Sequence, residues 1–246
     1  MTTKAVPGQW VAVPDLEALA KEASSRLAAA LREAILVRGV ATLALSGGET
    51  PRPAYERLAR EPGIDWTKID VFWIDDRAVP PDDDRSNFRW GRSTLLDHVP
   101  ISAGRVHRMQ GEARDLDRAA RDYEAILRVH LVDGGFDVAV MGIGDDGHTA
   151  SLFPGDGGLR ETERWVIAVP AAPLQKREAR LTVTIPVIES IRSVFMLVAG
   201  KSKRDALQRA WSTTGSTLET PARLLRGVRG SLTWIVDEAA GGMDIG

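Results

Sequence analysis

Residues 136–155 read Phe136-Asp-Val-Ala-Val-Met-Gly-Ile-Gly-Asp-Asp-Gly-His-Thr-Ala-Ser-Leu-Phe-Pro-Gly155. Val138, Ala139, Val140 and Met141 form a short apolar run between Asp137 and Gly142, the pattern of a strand buried on both faces. Gly142, Gly144 and Gly147 follow within six positions and permit tight turns and close backbone approach to a ligand. Asp145, Asp146 and His148 sit in the same turn. Ionisable groups gathered where a buried strand ends mark the usual ligand site of an open α/β sheet.

Working outward, the flanking sequence alternates helix and strand. Upstream, Leu16, Leu19, Ala23, Leu27, Ala30, Leu31 and Ile35 recur at helical spacing, with Asp15 as the N-cap and Gly39 as the stop, predicting a helix from Asp15 to Arg38. A strand over Val40–Leu45 ends in Ser46-Gly47-Gly48-Glu49-Thr50-Pro51, after which Tyr55, Leu58 and Ala59 restart a helix. Asp70–Ile74 is the next strand and runs into Asp75-Asp76-Arg77. Leu116 to Leu131 forms a long amphipathic helix stopped by Gly134-Gly135. Downstream, strands are expected over Trp165–Val169, Leu181–Thr184, Val194–Ala199 and Leu232–Val236. Short helices are expected over Pro186–Ile191, Lys203–Trp211 and Thr220–Arg226. Residues from Ala239 onward read as a loose tail. With no internal repeat or linker, the expectation is a single α/β domain over residues 1–246. Its core is an open, mostly parallel Rossmann-like sheet with helices on both faces, plus a small additional subdomain or sheet.

The 32 basic and 34 acidic residues are interspersed and leave a formal charge of -2, which argues against nucleic acid or an anionic membrane as partner. Cysteine is absent, which removes disulfides, thiolate metal sites and cysteine nucleophiles together. Met1 to Gly8 lacks the apolar core of a signal peptide, and no later run approaches membrane-spanning length, so a cytoplasmic protein is expected.

Gly142-Ile-Gly144-Asp-Asp-Gly147 matches G-x-G-x-x-G after a strand, but three features oppose a dinucleotide site. Asp145 and Asp146 would face the pyrophosphate, Pro154-Gly155 cuts the following helix short, and the next strand ends in Val169-Pro170 where a ribose-binding acid belongs. His148 has company that suits catalysis: Asp146 two residues earlier, and Thr149 and Ser151 at an expected helix start. The bland alternative, a histidine bonded to backbone, stays open on spacing alone. Metal binding draws little support, because His98, His107 and His130 show no paired spacing. Asp82-Asp83-Asp84 reads as solvated surface. The Ser46 loop, between strand and helix, suits a phosphate because a helix start presents unpaired N–H groups.

Four stretches together resemble the 6-phosphogluconolactonase family, within the wider group of glucosamine-6-phosphate deaminases and ribose-5-phosphate isomerases. They are Leu45-Ser-Gly-Gly-Glu-Thr-Pro51, Trp73-Ile-Asp-Asp-Arg-Ala-Val-Pro80 with Asp84-Arg-Ser-Asn87, Gly142 through Pro154, and Arg180-Leu-Thr-Val-Thr184 leading to Gly200-Lys-Ser-Lys203. Deaminases look like the central piece through Asp-Gly-His but continue Ile-Ala-Phe-Asn-Glu-Pro, whereas Thr149-Ala-Ser-Leu-Phe-Pro154 follows here. The resemblance implies hydrolysis of 6-phospho-D-glucono-1,5-lactone to 6-phosphogluconate, in the oxidative pentose phosphate pathway, without metal or organic cofactor. It implies His148 as general base, Asp146 as its orienting carboxylate and Arg77 or turn N–H groups as oxyanion donors. Ser46, Gly47, Gly48, Thr50, Arg180 and Lys203 are implied at the phosphate. The partner is the small lactone alone, with neither nucleic acid nor membrane, and the protein a monomer or small homo-oligomer. Glu49 stands where the family carries a hydroxyl and must point away from a phosphate; Asp76 stands where it carries Glu. A sugar-phosphate deaminase or isomerase, or a non-catalytic sugar-phosphate sensor, is the competing expectation.

Overall fold

The computed structural model describes residues 8–131, 134–175 and 177–241. Strand β1 (Gln9–Val13) leads into α1 (Leu16–Arg38), β2 (Ala41–Leu45) and α2 (Arg52–Leu58). Strand β3 (Ile69–Trp73) runs almost directly into β4 (Asp75–Arg77), followed by α3 (Asn87–Thr94) and α4 (Leu116–His130). Then come β5 (Val138–Met141), β6 (Val166–Val169), β7 (Arg180–Val183), α5 (Ile185–Glu189), β8 (Ser193–Val198), α6 (Arg204–Trp211) and β9 (Ser231–Asp237).

The local signals operate as their chemistry requires. Asp15 caps α1 by accepting from the Ala18 N–H at 2.9 Å, and Gly39 ends it at φ +81°, donating to the Ile35 carbonyl at 2.8 Å. Asp115 caps α4 in the same way through Arg118 N–H at 2.9 Å.

Six strands form a wholly parallel sheet in the order β1-β9-β8-β5-β2-β3. Side chains alternate across it with the period of two that strands impose. Leu43, Leu45, Val138, Val140 and Trp73 pack with α1 and α2 on one face. Ala44, Ala139, Met141 and Phe72 pack with α4, α5 and α6 on the other. From β2 the chain moves outward to β3 and then returns to place β5 on the other side of β2. The crevice between the C-terminal ends of β2 and β5 is therefore a topological switch point, where ligands of open α/β sheets bind.

The expected additional sheet is antiparallel, in the order β4-β7-β6. Ile74 joins it to the main sheet: its N–H donates to Leu45 O at 2.9 Å and its carbonyl accepts from Val183 N–H at 2.9 Å. Asp75-Asp76-Arg77, expected as charges beyond a strand end, is thus itself the edge strand of a second sheet.

Other differences are local. No helix starts at Thr149; the chain forms a bridge between Thr149 and Leu152 and reaches only a 3₁₀ turn at Gly157–Arg160. Thr220–Arg226 is the 3₁₀ segment Pro221–Gly227, and the Lys203 helix is preceded by a 3₁₀ turn at Lys201–Lys203. The tail is not loose at its start, because Ala240 is buried and its N–H donates to Asp237 at 2.7 Å. Residues 242–246, and the stretch from Met1 to Pro7, lie outside the described residues. Among the described residues no helix is long and apolar enough to cross a membrane.

Candidate active site

A cleft of about 440 Å³ opens at the switch point. The loop after β2, the end of β4, the loop after β5, the start of β7 and the turn before α6 all line it. Of the residues expected in the site, Ser46, Gly47, Gly48, Thr50, Arg77, His148, Arg180 and Lys203 line this one cleft. Asp146 borders the adjoining cleft of about 660 Å³ on the other side of His148.

The β5 loop builds the imidazole's seat. Gly144 N–H donates to His148 O at 2.8 Å, and Gly147, at φ +95°, donates to Gly144 O at 2.9 Å. The imidazole then lies against the Gly144 backbone, so closely that a Cβ there would stand 2.1 Å from ring atoms Cε1 and Nδ1. Phe153 also packs against the imidazole, its ring centroid 4.5 Å from that of His148.

Asp146 Oδ1 lies 2.6 Å from His148 Nδ1 and also accepts the His148 N–H at 3.0 Å. Burial works to raise the Asp146 carboxyl, but its bonds to and charge attraction from His148 prevail and bring it down to about 2. An ionised carboxylate only accepts, so in the neutral ring Nδ1 carries the proton and Nε2 the lone pair.

The stretch that separates the lactonase pattern from the deaminase one has a structural task. Thr149 Oγ1 donates to Gly142 O at 2.9 Å and closes the loop. Ala150 takes a left-handed conformation at φ +53°, uncommon for a residue with a Cβ. Ser151 Oγ donates to Asp75 Oδ2 at 2.6 Å, and its N–H donates to Thr182 Oγ1 at 3.0 Å. The loop after β5 is thereby bolted to β4 and β7.

In the β2 loop the donors divide. Ser46 spends both of its own: Oγ donates to Val140 O at 2.6 Å and the N–H donates to Tyr55 Oη at 3.0 Å. Tyr55 Oη returns a bond to Ser46 O at 2.9 Å, so Ser46 ties β2, α2 and β5 together. The N–H groups of Gly47, Gly48, Glu49 and Thr50 have no acceptor among the described residues. A Cβ on Gly47 would stand 1.7 Å from Asn87 Oδ1, so only glycine fits there. Glu49 is exposed at the rim.

Three cations converge on the cleft despite the chain's net charge of -2. Arg77 donates to the Arg85 carbonyl. Arg180 lies 3.7 Å from Asp75 Oδ2, and burial lowers its pKa, with Asp75 opposing that effect. Lys203 Nζ contacts Asp145 Oδ1 at 2.5 Å, an attachment that holds the Asp145 carboxyl below its ordinary range.

Sequence reasoning missed Asn87, Asp75 and Ser151 as parts of this site. Asn87 donates Nδ2 to Asp75 O at 2.9 Å, while its buried Oδ1 has no partner among the described residues. The usable signal was the cap: Ser86 precedes α3, and its hydroxyl reaches Asp76 at 3.1 Å. Asp76 also accepts the N–H groups of Arg77, Asn87 and Phe88, explaining a buried acid in a strand; burial nonetheless pushes it up to about 6.

A sequence model described as glucosamine-6-phosphate isomerases/6-phosphogluconolactonase matches residues 14–234. The chain belongs to this family. Among family relatives, a 6-phosphogluconolactonase of a Synechocystis species is 41% identical over 216 residues, covering 86% of this chain and 88% of its own. The 6-phosphogluconolactonase of Streptomyces coelicolor is 36% identical over 245 residues, with 94% and 93% covered. The crystal structure of 6-phosphogluconolactonase from Thermotoga maritima superposes with a TM-score of 0.80 at 27% identity, covering 94% of this chain and 99% of that one.

Proposed function

We infer that the protein hydrolyses 6-phospho-D-glucono-1,5-lactone to 6-phosphogluconate. The observation that carries this reading is His148, paired through Nδ1 with Asp146, opening on a cleft lined by Arg77, Arg180 and Lys203. The lactonase names of the relatives and their coverage of nearly the whole chain support it.

The chemistry follows from the groups. The lactone carbonyl is already electrophilic, so the site must align a water, remove its proton and receive the oxyanion. Nε2 of neutral His148 takes the proton as the water oxygen bonds to C1, a contribution of about 10²–10⁴ in rate. Asp146 fixes the tautomer and stabilises the imidazolium, as a triad carboxylate does. When the C1 to ring-oxygen bond breaks, His148 returns the proton to that oxygen and the new carboxylic acid ionises to solvent.

The N–H groups of Gly144, Gly147 and His148 are spent inside the loop, which leaves Arg77 and the N–H groups of Asp145 and Thr149 as the oxyanion donors. Such a donor is worth roughly 3–4 kcal/mol. The Gly47, Gly48 and Thr50 N–H groups and Lys203 hold the phosphate, with Arg180 beside it, while Ser46 holds the loop. The scheme uses one 246-residue domain and a water, in the cytoplasm, as a monomer or small homo-oligomer with neither nucleic acid nor membrane as partner.

The test is a progress curve with freshly generated lactone, corrected for spontaneous opening, run beside an ammonia-release assay with glucosamine 6-phosphate. Accelerated lactone loss without ammonia is expected. Ammonia release with lactone loss at the spontaneous rate would assign the deaminase reaction instead, and binding of phosphogluconate without turnover of either substrate would mark a sensor.

A further inference from the structure

Outside the cleft, the fold assembles a second cluster of polar groups from positions that are scattered in sequence. Asp70 is in β3, the edge strand of the main sheet. His107 donates its N–H to Val71 O at 2.9 Å beside an isolated parallel bridge between Val71 and Val106, which brings it alongside that strand. His130 is the last residue of α4. One ligand atom from each of Asp70, His107 and His130 lies within 4.8 Å of the others. The cluster sits near the N-terminal end of β3, whereas the cleft lies at the C-terminal ends of the strands, so it is separate from the catalytic groups.

Its dimensions approach those of a metal site. Zinc bonds of about 2.0–2.1 Å to nitrogen and oxygen, arranged tetrahedrally, place ligand atoms about 3.3–3.4 Å apart. Asp70 Oδ1 is 3.2 Å from His107 Nε2 and 4.0 Å from His130 Nδ1. The first separation matches and the second must close by less than about 1 Å.

The groups are also held in place. His107 stacks on Phe72 at 4.6 Å between centroids, and His130 meets the same ring edge-on at 5.5 Å. Arg105 binds Asp70 Oδ2 at 2.7 Å, which orients the carboxylate from the far side and leaves Oδ1 to the two imidazoles. Two imidazoles and one carboxylate, with no thiolate in the chain, suit a borderline cation and not a hard one.

We propose that Asp70, His107 and His130 form a zinc(II) site, completed by water, that clamps the end of α4 to the sheet edge. Tag-free protein stripped with chelator and titrated with zinc chloride should bind one zinc per chain at micromolar or tighter dissociation constant, undisturbed by millimolar magnesium. His107→Ala and His130→Ala should each weaken binding by about tenfold or more. His148→Asn should leave the affinity within about twofold of wild type, and both of these proteins should show a larger zinc-dependent rise in melting temperature than the two alanine variants. Anomalous diffraction from zinc-soaked wild-type crystals should place the ion between the three side chains. A double His107→Ala/His130→Ala variant that binds as tightly as wild type, or an anomalous map without a peak at that position, overturns the proposal. The map decides even if the variants do not fold.

Discussion

Replacing Gly144 by alanine would test whether the seat beneath His148 governs catalysis. The new Cβ would lie 2.1 Å from the imidazole, against an ordinary contact of at least 3.4 Å, so the ring must retreat by about 1.3 Å. The same Cβ would stand 2.8 Å from Asp146 Oδ1, so the bonded His148 and Asp146 pair is displaced from its seat, with Phe153 already packed 4.5 Å from the imidazole between centroids. A misplacement of about 1 Å in a reacting group costs on the order of 10²-fold in rate. Gly144 has no positive φ, so the backbone itself accepts alanine. Gly142→Ala supplies the control, because its Cβ would meet nothing nearer than Leu197 O at 3.9 Å. Steady-state lactone hydrolysis, corrected for the spontaneous rate, should show kcat about 100-fold lower for Gly144→Ala and near wild type for Gly142→Ala. A folded Gly144→Ala enzyme whose kcat is within about threefold of the control would refute the argument that ring placement limits the reaction.

Other consequences follow from particular contacts. Tyr55→Phe removes both bonds to the Ser46 backbone, and urea unfolding should show a loss of about 1–3 kcal/mol, with a raised KM as the phosphate loop loosens. Lys203→Ala should raise KM for the lactone by about 10–100-fold with less effect on kcat, the behaviour of a charge-assisted anchor, read from saturation curves. Asp146 binds its proton less tightly folded than unfolded, at about 2 against 3.8. Its contribution to stability is therefore complete above about pH 4 and is lost as pH falls through about 2. Urea midpoints of wild type and Asp146→Asn should accordingly converge on acidification, and parallel curves would contradict this.

Much of the scaffold was legible because its signals are local. The Asp15 cap, the Gly39 stop and the apolar runs of β2 and β5 each act through neighbours in sequence. The Ser46 loop and the Gly142 loop could be placed on one sheet edge by the alternation of elements alone. What escaped depends on partners remote in sequence. β1 is a half-exposed edge strand with little apolar pattern, held by pairing to β9 some two hundred residues away. Asp75 and Asp76 look like loop residues until Ser151 and the α3 N–H groups arrive to receive their charges. α3 starts on a polar, poorly helix-forming sequence and is seeded by Ser86 and Asp76. Spacing likewise gave no hint that His107 and His130 meet over Phe72, because that meeting is made by the β3 edge and the end of α4. Ser46 illustrates the limit at the site itself: its motif placed it correctly in the cleft wall, but only the bonds to Val140 and Tyr55 reveal that its donors are used within the scaffold.

The central claim is that His148, oriented by Asp146, is the base of a lactone hydrolysis. Substituting His148→Asn keeps a comparable side-chain volume and removes the basic nitrogen. With freshly generated 6-phosphogluconolactone, the folded variant should lose about 10²–10⁴ in kcat/KM above the spontaneous background while its melting temperature stays within a few degrees of wild type. Near-native turnover by that folded variant would contradict the account.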